Sequence, residues 1–189
     1  MPRPRTHDLE TVLDAARTIV LDQGARAATV AAIAKASGAP TGSLYHAFGS
    51  RDQILAAAWG RAAARSQTNW LEAAKHPDPI QAGVDMALSL LTFAREHTAD
   101  TYLLLGMRLE DLTDGPADLG AVNDPVVKTL GELAARLDGP ATHERAVLAT
   151  VDLPYGAIRR RLLGGKPPPP ALDGPVAAAV RAVLQGAPA

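Results

Sequence analysis

Apolar residues recur at spacings of three and four along almost the whole chain, which is the period of a helix with one buried face. The clearest early run is Leu9, Val12, Leu13, Ala16, Ile19 and Val20. Gly24 then predicts the end of this first helix, because glycine readily adopts the left-handed conformation that closes a helix. No stretch alternates between apolar and polar residues for long enough to predict a strand. The pattern therefore predicts an all-α protein.

Two short helices and one long helix are predicted next. Thr29 precedes an apolar run, and its hydroxyl can accept a hydrogen bond from a free amide of the first helical turn. This helix is expected to end at Ser37-Gly38, and another is expected from Pro40-Thr41 to Phe48. Ser50 is predicted to cap a long alanine-rich helix from Arg51 to about Lys75, with four residues turned inward: Ile54, Leu55, Ala58 and Trp59.

Prolines and glycines divide the rest of the chain. His76-Pro77-Asp78-Pro79 predicts a break, since proline disfavours the helical region for the residue before it. Helices are predicted over 80–97, 99–109, 123–138, 142–163 and 173–186, with a loop over 111–120 and an extended connector over 164–170. Pro154 lies inside one of these helices and lacks an amide hydrogen. It either kinks or splits that helix, and the sequence leaves both open.

Composition removes several classes of protein. The chain has 189 residues, 47% of them hydrophobic, and no cysteine, which excludes disulfides, a thiolate zinc site and a cysteine nucleophile. No run approaches the roughly 18 apolar residues of a membrane span, and no apolar signal core follows the N-terminus, so a cytoplasmic protein is expected. The histidines are scattered singly and no catalytic, metal-binding or phosphate-loop motif is present. We therefore expect no enzymatic activity, no metal and no cofactor.

Charge is distributed unevenly along the chain. Residues 1–65 contain eight Lys or Arg and five Asp or Glu, a net +3, whereas the remainder has a net −4. A basic N-terminal segment followed by an acidic remainder is typical of a small DNA-binding module joined to a second domain. An excess of three charges can also arise by chance, so this gradient is a weak indication.

The two short helices, joined at Ser37–Pro40 and preceded by a longer one, have the layout of a helix-turn-helix. The second of them presents hydrogen-bonding side chains of the type that contacts phosphates and base edges: Thr41, Ser43, Tyr45 and His46. Its aromatic residues could instead be core residues. We favour a role in the core for Phe48 and a contact with DNA for Tyr45.

The segment from Leu9 to Leu55 resembles the DNA-binding domain of the TetR family of transcriptional regulators. The matching features are the first helix ending at Gly24, the run Thr29–Ala34 and the run Ser37–Leu55. This resemblance implies a helix-turn-helix DNA-binding domain over residues 1–50 and a larger helical effector-binding and dimerisation domain over residues 51–189.

The resemblance also implies roles for single residues. Thr41, Gly42 and His46 would face base edges, while Thr29, Ser43 and Tyr45 would contact phosphates. Arg51 stands where the family usually has a lysine that contacts phosphate. Arg3 and Arg5 would form a basic arm for the minor groove or a phosphate. The sequence departs from the family at Ala47, where a histidine or an aromatic residue is frequent.

In the second domain, the larger side chains are candidate walls of a mainly apolar pocket, although each could be plain core: Trp70, Met86, Phe93, Tyr102, Met107 and Tyr155. The last two helices are the candidate subunit interface, through Val147, Thr150, Leu153, Gly156, Val176, Val180, Val183 and Leu184. Together these features predict a homodimeric regulator, favoured as a repressor, that binds a palindromic operator and responds to a small apolar or aromatic effector. The alternative is a helical ligand-binding or protein-interaction module that does not bind DNA.

Overall fold

The computed structural model describes residues 6–107, 112 and 121–186, and every regular element in these ranges is helical. The α-helices are α1 (Thr6–Gln23), α2 (Val30–Ser37), α3 (Thr41–Phe48), α4 (Arg51–Ala73), α5 (Pro79–Glu96), α6 (Thr98–Gly106), α7 (Asp124–Ala134), α8 (Thr142–Val147), α9 (Leu153–Leu163) and α10 (Asp173–Gln185). The predicted all-α fold class is confirmed. The loop predicted over 111–120 lies outside the described residues, apart from residue 112.

The chain forms two compact units that are not contiguous in sequence. Unit 1 comprises residues 1–63 and 99–120, and unit 2 comprises residues 64–98 and 121–189. This division differs from the predicted boundary after residue 50. The reason is that the first turns of α4 and the helix α6 complete the core of unit 1, through Ile54, Leu55 and Leu103, each at most 1% exposed.

Helix α1 supplies one wall of the unit 1 core and is held by ion pairs. Its predicted inner face is buried from Val12 to Val20, whereas Leu9, in the first turns, is 43% exposed. On its outer side, Arg61 of α4 donates to Glu10 and Asp14, each over 2.6 Å. Burial alone lowers the pKa of Arg61, but the hydrogen bonds and charges of these two carboxylates raise it overall.

Helix α6 is fixed to α1 by a buried charge. The carboxylate of Asp100, which is 1% exposed, accepts a hydrogen bond from Arg17 over 2.9 Å. Arg17 also lies 3.5 Å from Asp14, so charged side chains connect α1 with both α4 and α6. Because an unpaired buried charge is costly, this pair restricts α6 to one position on α1.

In unit 2, α5 packs closely against α10. The contact is made at Gly83, where a Cβ atom would lie 2.2 Å from Cδ1 of Leu184 and 3.5 Å from Cγ2 of Thr150. Glycine is therefore required for this approach rather than for a special backbone angle. Among the described residues, no helix combines the length and the apolar character needed to cross a membrane.

Pro154 divides the helical stretch predicted over 142–163, and it does so through a π-helical turn at Leu148–Asp152 between α8 and α9. In this turn the amide of Leu153 donates to the carbonyl of Leu148, five residues earlier. The carbonyl of Thr150 would bond to the amide of residue 154 in a regular α-helix, but proline has none. The indole N–H of Trp70 donates to that carbonyl instead, over 3.3 Å.

Candidate nucleic-acid interface

The turn between α2 and α3 is built by local hydrogen bonds. The Thr29 hydroxyl accepts a hydrogen bond from the amide of Ala32 over 3.1 Å, which confirms the predicted cap of α2. Gly38 ends the helix with a φ of 71°, a left-handed conformation that favours glycine. Pro40 follows in an extended conformation and sets the start of α3 at Thr41. The two short helices of the predicted helix-turn-helix therefore have the expected bounds.

Helix α3 has one buried side chain and an otherwise open surface. Leu44 is 2% exposed and holds the helix against the core of unit 1, and Phe48 packs partly on the same core. The remaining side chains of the helix are exposed: Thr41, Ser43, Tyr45, His46 and Ala47. The five predicted DNA-facing residues of α3, including Gly42, are thus brought together on a solvent-exposed surface, which we call the α3 face.

The chemistry of the α3 face suits a polyanion that offers hydrogen-bond acceptors and donors. Tyr45 is 54% exposed, and its hydroxyl makes no hydrogen bond within the described chain. Positions 41–49 contain no acidic residue, so no carboxylate of the helix itself repels a phosphate. Gly42 has no atom within 4 Å of the place where a Cβ would lie, so a DNA backbone or base edge can approach closely there.

Arg51, at the first position of α4, is largely engaged with the protein itself. Its Nε donates to the carbonyl of Ala28 over 3.0 Å, one Nη donates to the carbonyl of Ala25, and the other donates to Asp52 over 2.8 Å. Ala28 directly precedes Thr29, so Arg51 fixes the segment that leads into α2. Sequence analysis did not identify this role. The helix dipole disfavours a cation at a helix N-terminus, so the presence of Arg51 there already indicated that specific acceptors bind it.

The other candidate DNA contacts lie elsewhere in the chain. Thr29 is exposed at the N-terminus of α2. Arg3 and Arg5, the predicted basic arm, lie outside the described residues.

The six candidate pocket residues are divided between the two units. In unit 2, Trp70, Met86 and Phe93 are core residues at most 8% exposed, whereas Tyr155 is 43% exposed. The other two belong to unit 1: Tyr102 is half-buried, and Met107 lines a cavity of about 430 Å³ together with Arg26 and Arg51. A large side chain fills a core as readily as it lines a pocket, so the burial of these residues leaves their role in a pocket a prediction.

The candidate interface residues also divide into two groups. Four of them, Thr150, Val176, Val180 and Leu184, are at most 8% exposed, so unit 2 itself covers the side chains that were predicted to meet a partner. Val147, Leu153 and Val183 are half-buried, and Gly156 is exposed. The exposed large apolar side chains near these helices are instead Leu148 and Tyr155, each 43% exposed, and Leu163, 75% exposed. Leu148 and Leu163 were not among the predicted interface residues, because periodicity does not distinguish two apolar faces of one helix.

The sequence of the helix-turn-helix segment matches one known family model. Residues 12–58 match the family model of bacterial regulatory proteins, tetR family, which confirms the resemblance of the N-terminal sequence. No curated protein matches the chain.

The fold is similar to those of solved bacterial regulators. A TetR-like transcriptional regulator from Rhodococcus sp. RHA1 has 19% identity and a TM-score of 0.72, with 97% of this chain and 96% of that chain covered. The TetR-family regulator PfmR from Thermus thermophilus has 18% identity and a TM-score of 0.68, with 93% and 97% covered. The fatty acid degradation regulator FadR from Bacillus halodurans has 17% identity and a TM-score of 0.70, with 91% and 97% covered. At these identities the similarity concerns the fold.

Proposed function

We propose that this chain, whose residues 12–58 match the family model of bacterial regulatory proteins, tetR family, is a cytoplasmic, homodimeric transcriptional repressor that releases its operator when a small effector binds. The observation that carries the proposal is the α3 face, on a short helix whose polar side chains are all exposed while Leu44 and Phe48 hold it to the core of unit 1. Helices with this arrangement place their exposed side chains in the major groove of duplex DNA.

On the α3 face we assign two kinds of contact. Thr41, Gly42 and His46 read base edges, and Ser43 and Tyr45 bind backbone phosphates, where they set the position of the helix without reading sequence. Thr29 adds a phosphate contact at the N-terminus of α2, where free amides also favour an anion.

Arg51 acts on DNA mainly by positioning. Three of its five N–H groups bond to Ala25, Ala28 and Asp52, and we propose that these bonds hold Thr29 and the start of α2 in place for the phosphate. The two remaining N–H groups are available for a direct phosphate contact.

The DNA-binding assignment is tested by variants that each remove one exposed hydroxyl. Tyr45→Phe removes one phosphate hydrogen bond, so we expect affinity for operator and unrelated DNA to fall by about 3- to 10-fold alike. Thr68→Ala removes an exposed hydroxyl of α4 in unit 2 that has no part in the proposed contacts, and should leave both affinities unchanged. Thr41→Ala should instead alter base preference, measured by selection from randomised operators. The assignment is refuted if the protein retards no promoter fragment, including the one beside its own gene.

For the effector, we propose an apolar or aromatic molecule that binds among the core side chains of unit 2. Trp70 and Met86 are at most 2% exposed, so such a molecule can bind there only by separating helices. Trp70 belongs to α4, the helix that also contributes Ile54 and Leu55 to the core of unit 1. A shift of α4 would therefore move α3 and lower its affinity for DNA.

Effector control is tested by thermal shift with a library of small apolar and aromatic compounds. A compound that binds the native state raises the melting temperature, and an effector should also release the protein from its operator. Quenching of Trp70 fluorescence, measured in a Trp59→Phe variant, then locates the compound in unit 2. A releasing compound that leaves this fluorescence unchanged would place the effector site elsewhere.

We propose that the dimer forms through the exposed apolar side chains of the π turn and α9, namely Leu148, Tyr155 and Leu163. Gly156, also exposed there, permits close approach of a second helix. Two copies would place their α3 faces in successive major grooves about 34 Å apart, so a palindromic operator follows from the symmetry of the dimer.

A further inference from the structure

A concave surface at the C-terminal end of α9 is lined by basic side chains. Arg160, Arg161, Lys166 and the backbone at Gly164 border an open depression of about 250 Å³, all within unit 2. We call this the α9 basic cavity. It lies on a different unit from the α3 face, and none of its residues has a part in the proposed contacts with DNA.

The cations of the α9 basic cavity lack partners in the described part of the chain. None of them takes part in an ion pair or a side-chain hydrogen bond there, whereas Arg95 and Arg145 of the same unit each donate to protein acceptors. The flanking acidic residues do not compensate the charge. Asp152 lies eight residues before Arg160, about 12 Å along a helix, and Asp173 is bound by Arg95 over 2.8 Å.

These cations are also not needed to complete the helix end. The carbonyl of Arg161 accepts hydrogen bonds from the amides of Gly164 and Lys166 over 3.0 and 3.2 Å, and that of Leu162 accepts one from Gly165 over 2.8 Å. Gly165 permits this closure through its φ of +71°. The C-terminal dipole, equivalent to roughly −0.5 charge, offsets only a fraction of three full positive charges.

Arg161 gives a separate indication of a missing acceptor. Its Nε is buried without a hydrogen-bond partner. The same is true of Arg17 and Arg61, but their terminal nitrogens bind carboxylates, whereas no acceptor is found for Arg161 in the described residues. Buried donors are normally satisfied, and the terminal nitrogens of a guanidinium that borders the cavity can bind the oxygens of a phosphate.

We propose that the α9 basic cavity binds the phosphate group of a small molecule, with Arg160, Arg161 and Lys166 as its ligands. The ligand is either a free inorganic phosphate or diphosphate, or a phosphate ester whose organic part projects into solvent from the open side of the cavity. The site does not depend on the proposed repressor function, because binding is measured without DNA.

The test is isothermal titration of the full chain with diphosphate, phosphate and a nucleoside diphosphate, at constant ionic strength in chloride. We expect saturable binding, tighter for diphosphate than for phosphate. Similar affinity for the nucleoside diphosphate indicates that only the phosphates are bound, whereas higher affinity indicates an ester as the natural ligand. The double variant Arg160→Gln, Lys166→Gln should bind diphosphate at least about tenfold more weakly, since each charge-assisted bond contributes about that factor.

Arg159→Gln is the matched control, because Arg159 is an exposed cation of the same helix that does not line the cavity. It should change diphosphate affinity by less than about twofold, as expected for a screened surface charge. Absence of saturable binding overturns the proposal, and so does an equal loss in the double variant and the control. Loss of DNA retardation in the double variant, without any binding of diphosphate, would assign these cations to a DNA backbone instead.

Discussion

At the scale of the residue, Arg51 is a local structural contact that lies beside the proposed DNA contacts. A lysine at this position, which the family resemblance leads one to expect, keeps the positive charge but cannot bridge two carbonyls and a carboxylate with one ammonium group. Here the guanidinium binds the carbonyls of both Ala25 and Ala28. Its loss should therefore first destabilise the segment that precedes α2.

Arg51→Lys is therefore expected to lower the free energy of unfolding by about 1–2 kcal/mol, because partly buried carbonyls lose their donors. The salt dependence of DNA binding should change little, since the charge is retained. Arg26→Lys is the control, because Arg26 is exposed and donates no hydrogen bond within the described chain. Chemical denaturation and retardation at several salt concentrations check both parts. An Arg51→Lys protein whose free energy of unfolding is unchanged would contradict the positioning role.

The two tryptophans of α4 provide a second comparison of single residues. Trp70 donates to the Thr150 carbonyl that Pro154 leaves without an amide, whereas Nε1 of Trp59 is buried without a partner. Trp70→Phe should cost about 1–3 kcal/mol for the unsatisfied buried carbonyl, in addition to the lost packing. Trp59→Phe loses similar packing but no hydrogen bond, so urea denaturation should show a smaller loss. Equal losses would mean that the Trp70 bond contributes no net stability.

At the scale of the element, the sequence predicted what depends on local chemistry. The Thr29 cap, the Gly38 turn and the start of α3 at Thr41 follow from side chains within a few residues of each other, and so does the exposure of the α3 face. The burial of Val180 and Leu184 depends on which face of α10 meets α5, and apolar spacing alone does not identify that partner. The π turn likewise needed a donor 80 residues away, in Trp70.

The packing of α5 on α10 leads to a prediction for Gly83. A methyl group there would lie 2.2 Å from Leu184, which is itself 1% exposed and has little room to move. Gly83→Ala should therefore destabilise the protein by about 1–2 kcal/mol, the cost of overpacking reduced by the better helix propensity of alanine. Gly131→Ala in α7, where no atom lies within 4 Å, should instead stabilise it by about 0.5–1 kcal/mol. Opposite signs in thermal unfolding are the expected result. Stabilisation by both would show that Leu184 adapts freely.

At the scale of the whole molecule, each compact unit is completed by a segment from elsewhere in the chain. Unit 1 takes Leu103 and the carboxylate of Asp100 from α6, and unit 2 takes Trp70 from the end of α4. The division between the units falls inside α4, at residues 63 and 64. A change in the core of unit 2 that displaces α4 therefore acts on a helix that unit 1 needs for its own stability, which is the requirement for coupling an effector to DNA binding.

The proposed dimer leads to the last prediction. One α3 face alone offers few contacts with DNA, so binding should depend on the second copy. Replacing Leu148 and Tyr155 with lysine puts two charges in the proposed interface, so we expect a monomer by sedimentation with unchanged helical content. Affinity for a palindromic operator should then fall by about 100-fold or more, because the second half-site is no longer bound by a linked copy. Val127→Lys alters an apolar residue of α7 that is 64% exposed and lies outside the proposed surface, so it should remain dimeric. A double-lysine variant that still sediments as a dimer would place the subunit interface on another face of the molecule.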